Sequence, residues 1–232
     1  MTRIQKISFP FPDIRDEQIE KMLLPVAKKV FIPAKTILLH PNDELTGMYY
    51  IHSGSTRHYA ANMDGIEKII YVLSPGWLFG EPSYMMNYKT GLYCTAETDL
   101  ELWIIPYDQV ERLLGCSSDI RDLMLNCLTY KVLFLRHETE NLCFNSCEDR
   151  LLRTICMCTD QSSLIDGQWY NLKIQYTHYE LSILIGSVRV TVSRLINKLC
   201  DDGVLRLVNH KIQINQKAYK NCIHQFFEQY LL

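Results

Sequence analysis

Arg189 and Arg194 stand five residues apart in the run Ser187-Val188-Arg189-Val190-Thr191-Val192-Ser193-Arg194-Leu195-Ile196-Asn197-Lys198-Leu199-Cys200. Read at about 3.6 residues per turn, Val192, Leu195, Ile196 and Leu199 form one apolar face. Arg189, Val190, Ser193 and Arg194 then cluster near the start of the helix on the other side. A guanidinium presents a planar fork of donors that matches guanine O6 and N7, whereas hydroxyl and imidazole groups suit phosphate oxygens. Upstream, Thr177-His178-Tyr179-Glu180 is a capping box, and it opens an amphipathic helix (Leu181, Leu184, Ile185) that stops at Gly186. Helix, glycine turn and a second helix with arginines on its first exposed turns is helix-turn-helix geometry. Such a second helix reads base edges from its N-terminal part. Behind it, Gly203–Val208, Asn209-His210 and Lys211–Ile214 read as a β-hairpin wing. The expected DNA contacts are Thr177, His178, Ser187, Arg189, Val190, Thr191, Ser193 and Arg194, with Thr177, His178 and Thr191 on phosphates.

Other elements must carry this pair of helices. A short helical stretch with Ile19, Met22 and Leu23 on one face runs to about Pro25. Seven β-rich runs follow between Lys29 and Pro106: 30–32, 37–39, 48–51, 56–59, 68–73, 93–96 and 100–105. Turn signals at Pro41-Asn42-Asp43, Ser53-Gly54-Ser55, Asp64-Gly65 and Ser74-Pro75-Gly76 separate them, a pattern expected of a small barrel or sandwich. Asp64-Gly65 reads as a hairpin turn. Beyond Pro106 helical periodicity takes over. Tyr107–Leu114 is expected to be a helix closed by Gly115, and roughly Ser118–Asn141 a helix of about 35 Å. That helix is apolar on more than one face, so it must bury one face in its own domain and offer another to a partner; a homodimer is the economical answer. Ser146 with Asp149 reads as the cap of a further helix over 147–160, followed by a loop and a strand at 170–174.

Composition narrows the function classes. With 232 residues, 47 % of them apolar and 22 % charged at net −2, the chain can bury a substantial core and is not a disordered or polybasic tail. No apolar run reaches the ~18–20 residues of a membrane span, and the N-terminus lacks a secretory apolar stretch, so a soluble cytoplasmic protein is expected. Charge divides unevenly: residues 1–146 carry 14 Lys+Arg against 18 Asp+Glu, and residues 147–232 carry 10 against 8. A mildly basic last third fits a nucleic-acid module joined to a sensing module. The nine cysteines are odd in number and lack zinc-type C-x2-C spacing, so most, with Cys116, Cys127 and Cys156 in apolar helical runs among them, are expected to be core thiols with neither a metal nor an oxidised framework. No nucleophile–base pairing, P-loop or metal-ligand spacing is present; no catalytic residue, metal or cofactor is expected, and the chain reads as not an enzyme.

Over residues 20–215 the chain resembles the cyclic-AMP receptor protein/FNR (CRP/FNR) superfamily of bacterial transcription regulators. The resemblance rests on two motifs: the glycine pattern Gly54, Asp64-Gly65, Pro75-Gly76-Trp77-Leu78-Phe79-Gly80-Glu81, and the recognition helix containing Thr191-Val192-Ser193-Arg194. It implies an α+β chain: an N-terminal jelly-roll, cyclic-nucleotide-binding-like effector domain (1–117), a long dimerisation helix (118–145) and a C-terminal winged helix-turn-helix (146–232). The implied partners are DNA, a small-molecule effector, a second copy and RNA polymerase, with no membrane. Cyclic-nucleotide members carry an Arg-Ser or Arg-Thr pair about ten residues past Gly-Glu. Here 82–92 has no arginine and Lys89 is its one cation, so cyclic AMP is not the expected effector. No cysteine precedes Cys94 to build an iron–sulfur sensor, and His52 and His58 read as ordinary strand residues rather than haem ligands.

What remains is a pocket rich in Tyr and Met. Tyr71, Gly80, Glu81, Tyr84, Met85, Met86, Tyr88, Lys89, Thr90, Gly91 and Leu92 are expected to face Thr129, Tyr130 and Phe134 of the long helix. Such a wall suits a small aromatic or organic acid. It also resembles the arginine-free cassette of the halophenol-responsive subgroup, including a tyrosine at the position of Tyr71. In the family the position of Arg189 reads a guanine, and that of Val190 is usually a glutamate that accepts from a cytosine amine. Valine cannot accept, and its methyls suit thymine, so the expected operator is a GTA…TAC palindrome. The Arg-Val-Thr-Val-Ser-Arg run also resembles that of cyanobacterial nitrogen regulators. The alternative is a redox-responsive regulator of the same fold, acting through thiols such as Cys158 or Cys200.

Overall fold

The computed structural model describes residues 11–227. Its helices are α1 (Glu17–Leu23), α2 (Glu81–Met86), α3 (Tyr107–Cys116), α4 (Ser118–Phe144), α5 (Cys147–Met157), α6 (His178–Ile185), α7 (Arg189–Asp201) and α8 (Gln216–Phe227). The strands are β1 (Lys28–Ile32), β2 (Ile37–Leu39), β3 (Gly47–Ser53), β4 (Thr56–Ala61), β5 (Glu67–Leu73), β6 (Leu78–Phe79), β7 (Tyr93–Ala96), β8 (Leu100–Pro106), β9 (Trp169–Asn171), β10 (Leu205–Val208) and β11 (Lys211–Asn215). The chain divides into two compact units that meet between His137 and Glu138, inside α4.

In the first unit, β1-β8-β3-β6 and β2-β7-β4-β5 form two four-stranded antiparallel sheets. All seven expected strands are present. The two-residue β6 and the six-residue α2 are additions, too short for periodicity to reveal. Asp64-Gly65 lies at a hairpin tip, but the loop spans five residues rather than two. Asn62 organises it by accepting from the amides of Asp64 and Ile66 through its side-chain oxygen. Gly115 is helical and α3 runs past it to Cys116, so the expected left-handed cap is absent; nothing crowds that position and the backbone NH of Ser117 caps Leu113 instead.

The part of α4 up to His137 belongs to this unit, where Ile120, Leu123, Met124, Cys127, Tyr130 and Phe134 are buried in the core. Phe11 is the hub: its ring lies 4.7 Å from Trp77, 4.7 Å from Tyr130 and 4.9 Å from Phe134, all edge-on. Trp77 is fully buried and satisfies its indole N–H on the Pro12 carbonyl at 2.7 Å.

In the second unit, α5, α6 and α7 pack with a three-stranded antiparallel sheet ordered β10-β11-β9. Asn209 and His210 both take positive φ, the primed turn that a two-residue hairpin requires. A disulfide joins Cys156 of α5 to Cys222 of α8. Of the expected core thiols, Cys127 is buried, Cys116 is exposed at the end of α3, and Cys156 is buried but not separate, its partner hidden by a 66-residue separation in sequence.

Two glycines at positive φ separate conformational strain from steric exclusion. A Cβ on Gly54 would sit 2.2 Å from the Asp99 carbonyl oxygen, whereas one on Gly65 would meet nothing within 4 Å. Gly54→Ala should lower the unfolding free energy of the first unit by about 3 kcal/mol or more and Gly65→Ala by about 1 kcal/mol, read from urea denaturation.

Candidate effector pocket and nucleic-acid interface

A cavity of about 370 Å³ opens inside the first unit. Tyr71 of β5, Phe79 to Ser83 across β6 and α2, and Tyr88, Thr90, Gly91 and Leu92 form much of its wall. Leu39 and His58 line it from the strands, Leu45 from the loop between β2 and β3, and Leu128, Lys131, Val132 and Leu135 from α4. Of the expected residues, Tyr71, Gly80, Glu81, Tyr88, Thr90, Gly91 and Leu92 come together here. Others lie elsewhere. Lys89 is exposed and pairs with Glu44 at 2.9 Å, Thr129 is exposed, and Tyr130 and Phe134 are committed to the Phe11 cluster. Tyr84 packs near Tyr107, while Met85 and Met86 are exposed. The cavity face of α4 is displaced by about one position from the expected one: Lys131 and Leu135, not Tyr130 and Phe134, turn to the cavity.

Lys131 is absent from the sequence expectation, although its spacing from Met124, Cys127 and Phe134 places it within the buried stripe. It is 8 % exposed and its partner Glu81 only 2 %. The ammonium donates to Glu81 Oε1 and to the Leu78 carbonyl, each at 2.7 Å. Burial would discharge this lysine, but Glu81, with Tyr71 and Cys127 adding to it, more than offsets the burial and holds the ammonium above its ordinary range. Its Nζ also lies 5.7 Å from the centre of the Tyr71 ring. Burial pushes the Tyr71 hydroxyl up, with Lys131 opposing. His58 is buried, with Nε2 3.1 Å from the Thr56 hydroxyl and 3.6 Å from Cys94 Sγ. Burial and then the Lys131 charge lower its pKa to about 3, so it is a neutral wall residue. The site is thus an apolar, aromatic chamber with one ion pair, Lys131–Glu81, as its charged feature among the described residues.

The second unit places the expected DNA residues on two helices. Thr177 caps α6 in a reciprocal box with Glu180, its hydroxyl accepting from the Glu180 amide at 3.2 Å. His178 Nδ1 lies 2.9 Å from Ser193 Oγ and ties the start of α6 to α7. Gly186 takes the left-handed conformation that ends α6. Ser187 lies in the turn, with its hydroxyl 3.8 Å from Cys147 Sγ. Arg189, Val190 and Arg194 are exposed and Thr191 is half-buried, while Val192, Leu195, Ile196 and Leu199 are buried. Helices α5 and α6 both start with capping boxes; α7 has Val188 at its N-cap, with no side-chain cap and no acid in its first turn. Its first amide N–H groups and the positive end of its dipole are therefore open to an anion such as phosphate.

Residues 29–115 match the cyclic nucleotide-binding domain, and residues 149–219 match the Crp-like helix-turn-helix domain. The chain belongs to the CRP/FNR family. It is 25 % identical to the cAMP-activated global transcriptional regulator CRP of Haemophilus influenzae over 75 % of this chain and 77 % of that one. It is 27 % identical to the global nitrogen regulator of a Synechocystis species, over 83 % and 86 %. Its fold is similar to that of the c-di-GMP responsive global regulator CLP of Xanthomonas campestris, with TM-score 0.75 and 22 % identity over 86 % of this chain and 99 % of that one. The CRP/FNR assignment makes this a DNA-binding transcription regulator with an effector-binding domain; family members bind DNA and small-molecule effectors and act as dimers.

Two measurements check the pocket electrostatics. Lys131→Met strands a buried carboxylate and should cost about 3–5 kcal/mol, and adding Glu81→Gln should restore most of it. With the native His58 at about 3 and the unfolded one near 6.5, the unfolded chain binds the extra proton in between. Stability of the first unit should therefore fall as pH drops from about 6.5 toward 3, and less steeply in His58→Gln.

Proposed function

We propose that this CRP/FNR regulator responds to a small aromatic or organic acid bound in the cavity beside Lys131. The observation that carries this reading is a buried ammonium in an aromatic wall that lacks the arginine expected for a cyclic-nucleotide phosphate. An incoming carboxylate or phenolate would compete with Glu81 for Lys131, loosening one tie between α2 and α4 while its ring packs on Tyr71, Phe79 and Leu128. Of the residues expected to bind it, Lys89, Thr129, Tyr130 and Phe134 are not part of this proposal.

The same helix supports pairing of two copies. Leu125, Leu128, Val132 and Leu135 follow the alternating three- and four-residue spacing of a coiled-coil seam, which Thr139 and Leu142 continue in the sequence. Three of these four are exposed in the single chain. In this reading residues 1–117 sense, 118–145 pair and 146–232 read DNA, and the dimer works in the cytoplasm with RNA polymerase. Arg189 takes the guanine, Val190 packs on a thymine methyl, and Arg194 reaches bases or phosphate further in. Thr177, His178, Ser187, Thr191 and Ser193 hold or brace the backbone contacts. The operator is a GTA…TAC palindrome with half-sites about 34 Å apart. A second reading, redox control of the same fold, is favoured by the Cys156–Cys222 disulfide, a pairing other than the Cys158 or Cys200 of the sequence expectation.

Thermal-shift measurements on the full chain should show stabilisation by benzoates, phenols or 2-oxo acids and none by cyclic AMP; Lys131→Met with Glu81→Gln should lose the response. A shift with cyclic AMP alone would sink the acid reading. In a binding-site selection, the wild type should return GTA…TAC, and Val190→Glu should move the core toward GTGA. Arg189→Ala should cost about 1–3 kcal/mol and relax preference at the guanine. A wild-type selection that settles on GTGA would refute the role given to Val190.

A further inference from the structure

Cys156 and Cys222 are buried, yet the structure brings their sulfurs together across 66 residues of chain. Of the other cysteines, Cys116, Cys143, Cys147 and Cys200 carry separate thiols at exposed or half-exposed positions, and burial pushes the Cys127 thiol up to about 12. A DNA-binding regulator works where low-molecular-weight thiols keep cysteines reduced, and a disulfide that forms there is a response to oxidant. We propose that Cys156–Cys222 is a redox-set clamp that fastens α8 onto α5. The proposal rests on the redox reading above and names the bond it would use.

Helix α5 is the brace of this unit. Leu151 and Ile155 are fully buried. Arg150 Nε donates at 3.0 Å to the Ile185 carbonyl that ends α6, and Glu148 pairs with Lys198 of α7 at 2.6 Å. Helix α8 is also held through Tyr219, whose ring lies 5.4 Å from Tyr170 and whose hydroxyl accepts from Gln161, and through Gln216, whose Nε2 donates to the Tyr170 hydroxyl at 3.1 Å. With the bond open, the Cys222 thiol faces the Leu152 carbonyl oxygen, 3.9 Å from its sulfur, so the reduced state leaves a weak donor near an acceptor. Shielding of both sulfurs favours a small oxidant such as hydrogen peroxide. One thiolate attacks a peroxide oxygen to give a sulfenic acid and water; the second thiol displaces a second water as the S–S bond forms. The cysteines lose two electrons in total and the peroxide gains them. A dithiol reductant reverses the step by exchange. Closing so long a loop restricts the unfolded chain, and the bond joins α5 to α8 rather than to α6 or α7. The clamp therefore sets the stability of the reading head and leaves base reading alone.

The test uses the full chain, reduced with dithiothreitol, desalted, and divided into untreated and peroxide-treated samples. Differential alkylation after acid quench, followed by peptide mass spectrometry, should find Cys156 linked to Cys222 in the treated sample. Calorimetry should show the second unit's transition raised by about 10 °C or more. Operator affinity at 25 °C should stay within twofold between the two samples. Cys200→Ala should keep the thermal gain and Cys222→Ala should lose it. Should either cysteine variant fail to fold, the wild-type linkage map and thermal gain decide alone. Absence of the linkage, or linkage without a thermal gain, overturns the clamp. An oxidant-dependent loss of DNA affinity that persists in Cys222→Ala also overturns it while leaving redox control standing through other thiols. Failure of the reduced protein to bind any operator counts against the regulator's proposed operator, since linkage and thermal gain are read without DNA.

Discussion

The sensing unit depends on how one buried charge is satisfied. Lys131 sits in a helix stripe otherwise made of Ile120, Met124, Cys127 and Phe134, where an unpaired ammonium would cost several kcal/mol. Glu81 and the Leu78 carbonyl meet it at 2.7 Å, and these two groups lie on α2 and β6. The short β6–α2 segment and the long helix are therefore held by the same nitrogen that borders the cavity. The aromatic cluster around Phe11 adds an apolar tie between the same elements, since Trp77, next to β6, and Tyr130, on α4, have ring centres 5.0 Å apart. In the proposed function, a ligand that takes a share of Lys131 would act on the contact that positions α4.

The reading unit uses an equivalent economy of helix ends. Capping boxes at Ser146 and Thr177 satisfy the first amides of α5 and α6 from within the chain. Helix α7 has no such box, and its first turn carries the exposed Arg189. Arg150 ties down the end of α6, while Glu148 and the His178–Ser193 contact hold α7 without occupying its first turn. The buried face of Val192 and Ile196 supplies the packing that a short exposed helix cannot supply for itself.

Local patterns make much of this legible in the sequence. Alternation and turn residues mark seven strands of the two sheets, and the box at Thr177, the glycine at 186 and the paired arginines mark the helix pair. Features that depend on distant partners are harder to read. The Tyr and Met content of 82–92 locates the cavity wall, but Met85 and Met86 point to solvent and Lys89 pairs with Glu44. Tyr130 and Phe134 read as ligand contacts because aromatic residues suit both a cavity and a core. The presence of Phe11, more than a hundred residues earlier, decides between them.

From the residue order alone came the two architectures, the reading helix and the absence of the phosphate-binding arginine. These depend on residue type and on periods of two and about 3.6, which neighbouring positions encode. The tertiary structure decided that Lys131 is buried against Glu81, that His58 is a neutral wall residue, and that Cys156 meets Cys222. Each of these results joins residues at least 50 positions apart or depends on burial from several elements. A rotation of one position about a helix axis, about 100°, exchanges a core side chain for a cavity one, and only packing fixes that rotation.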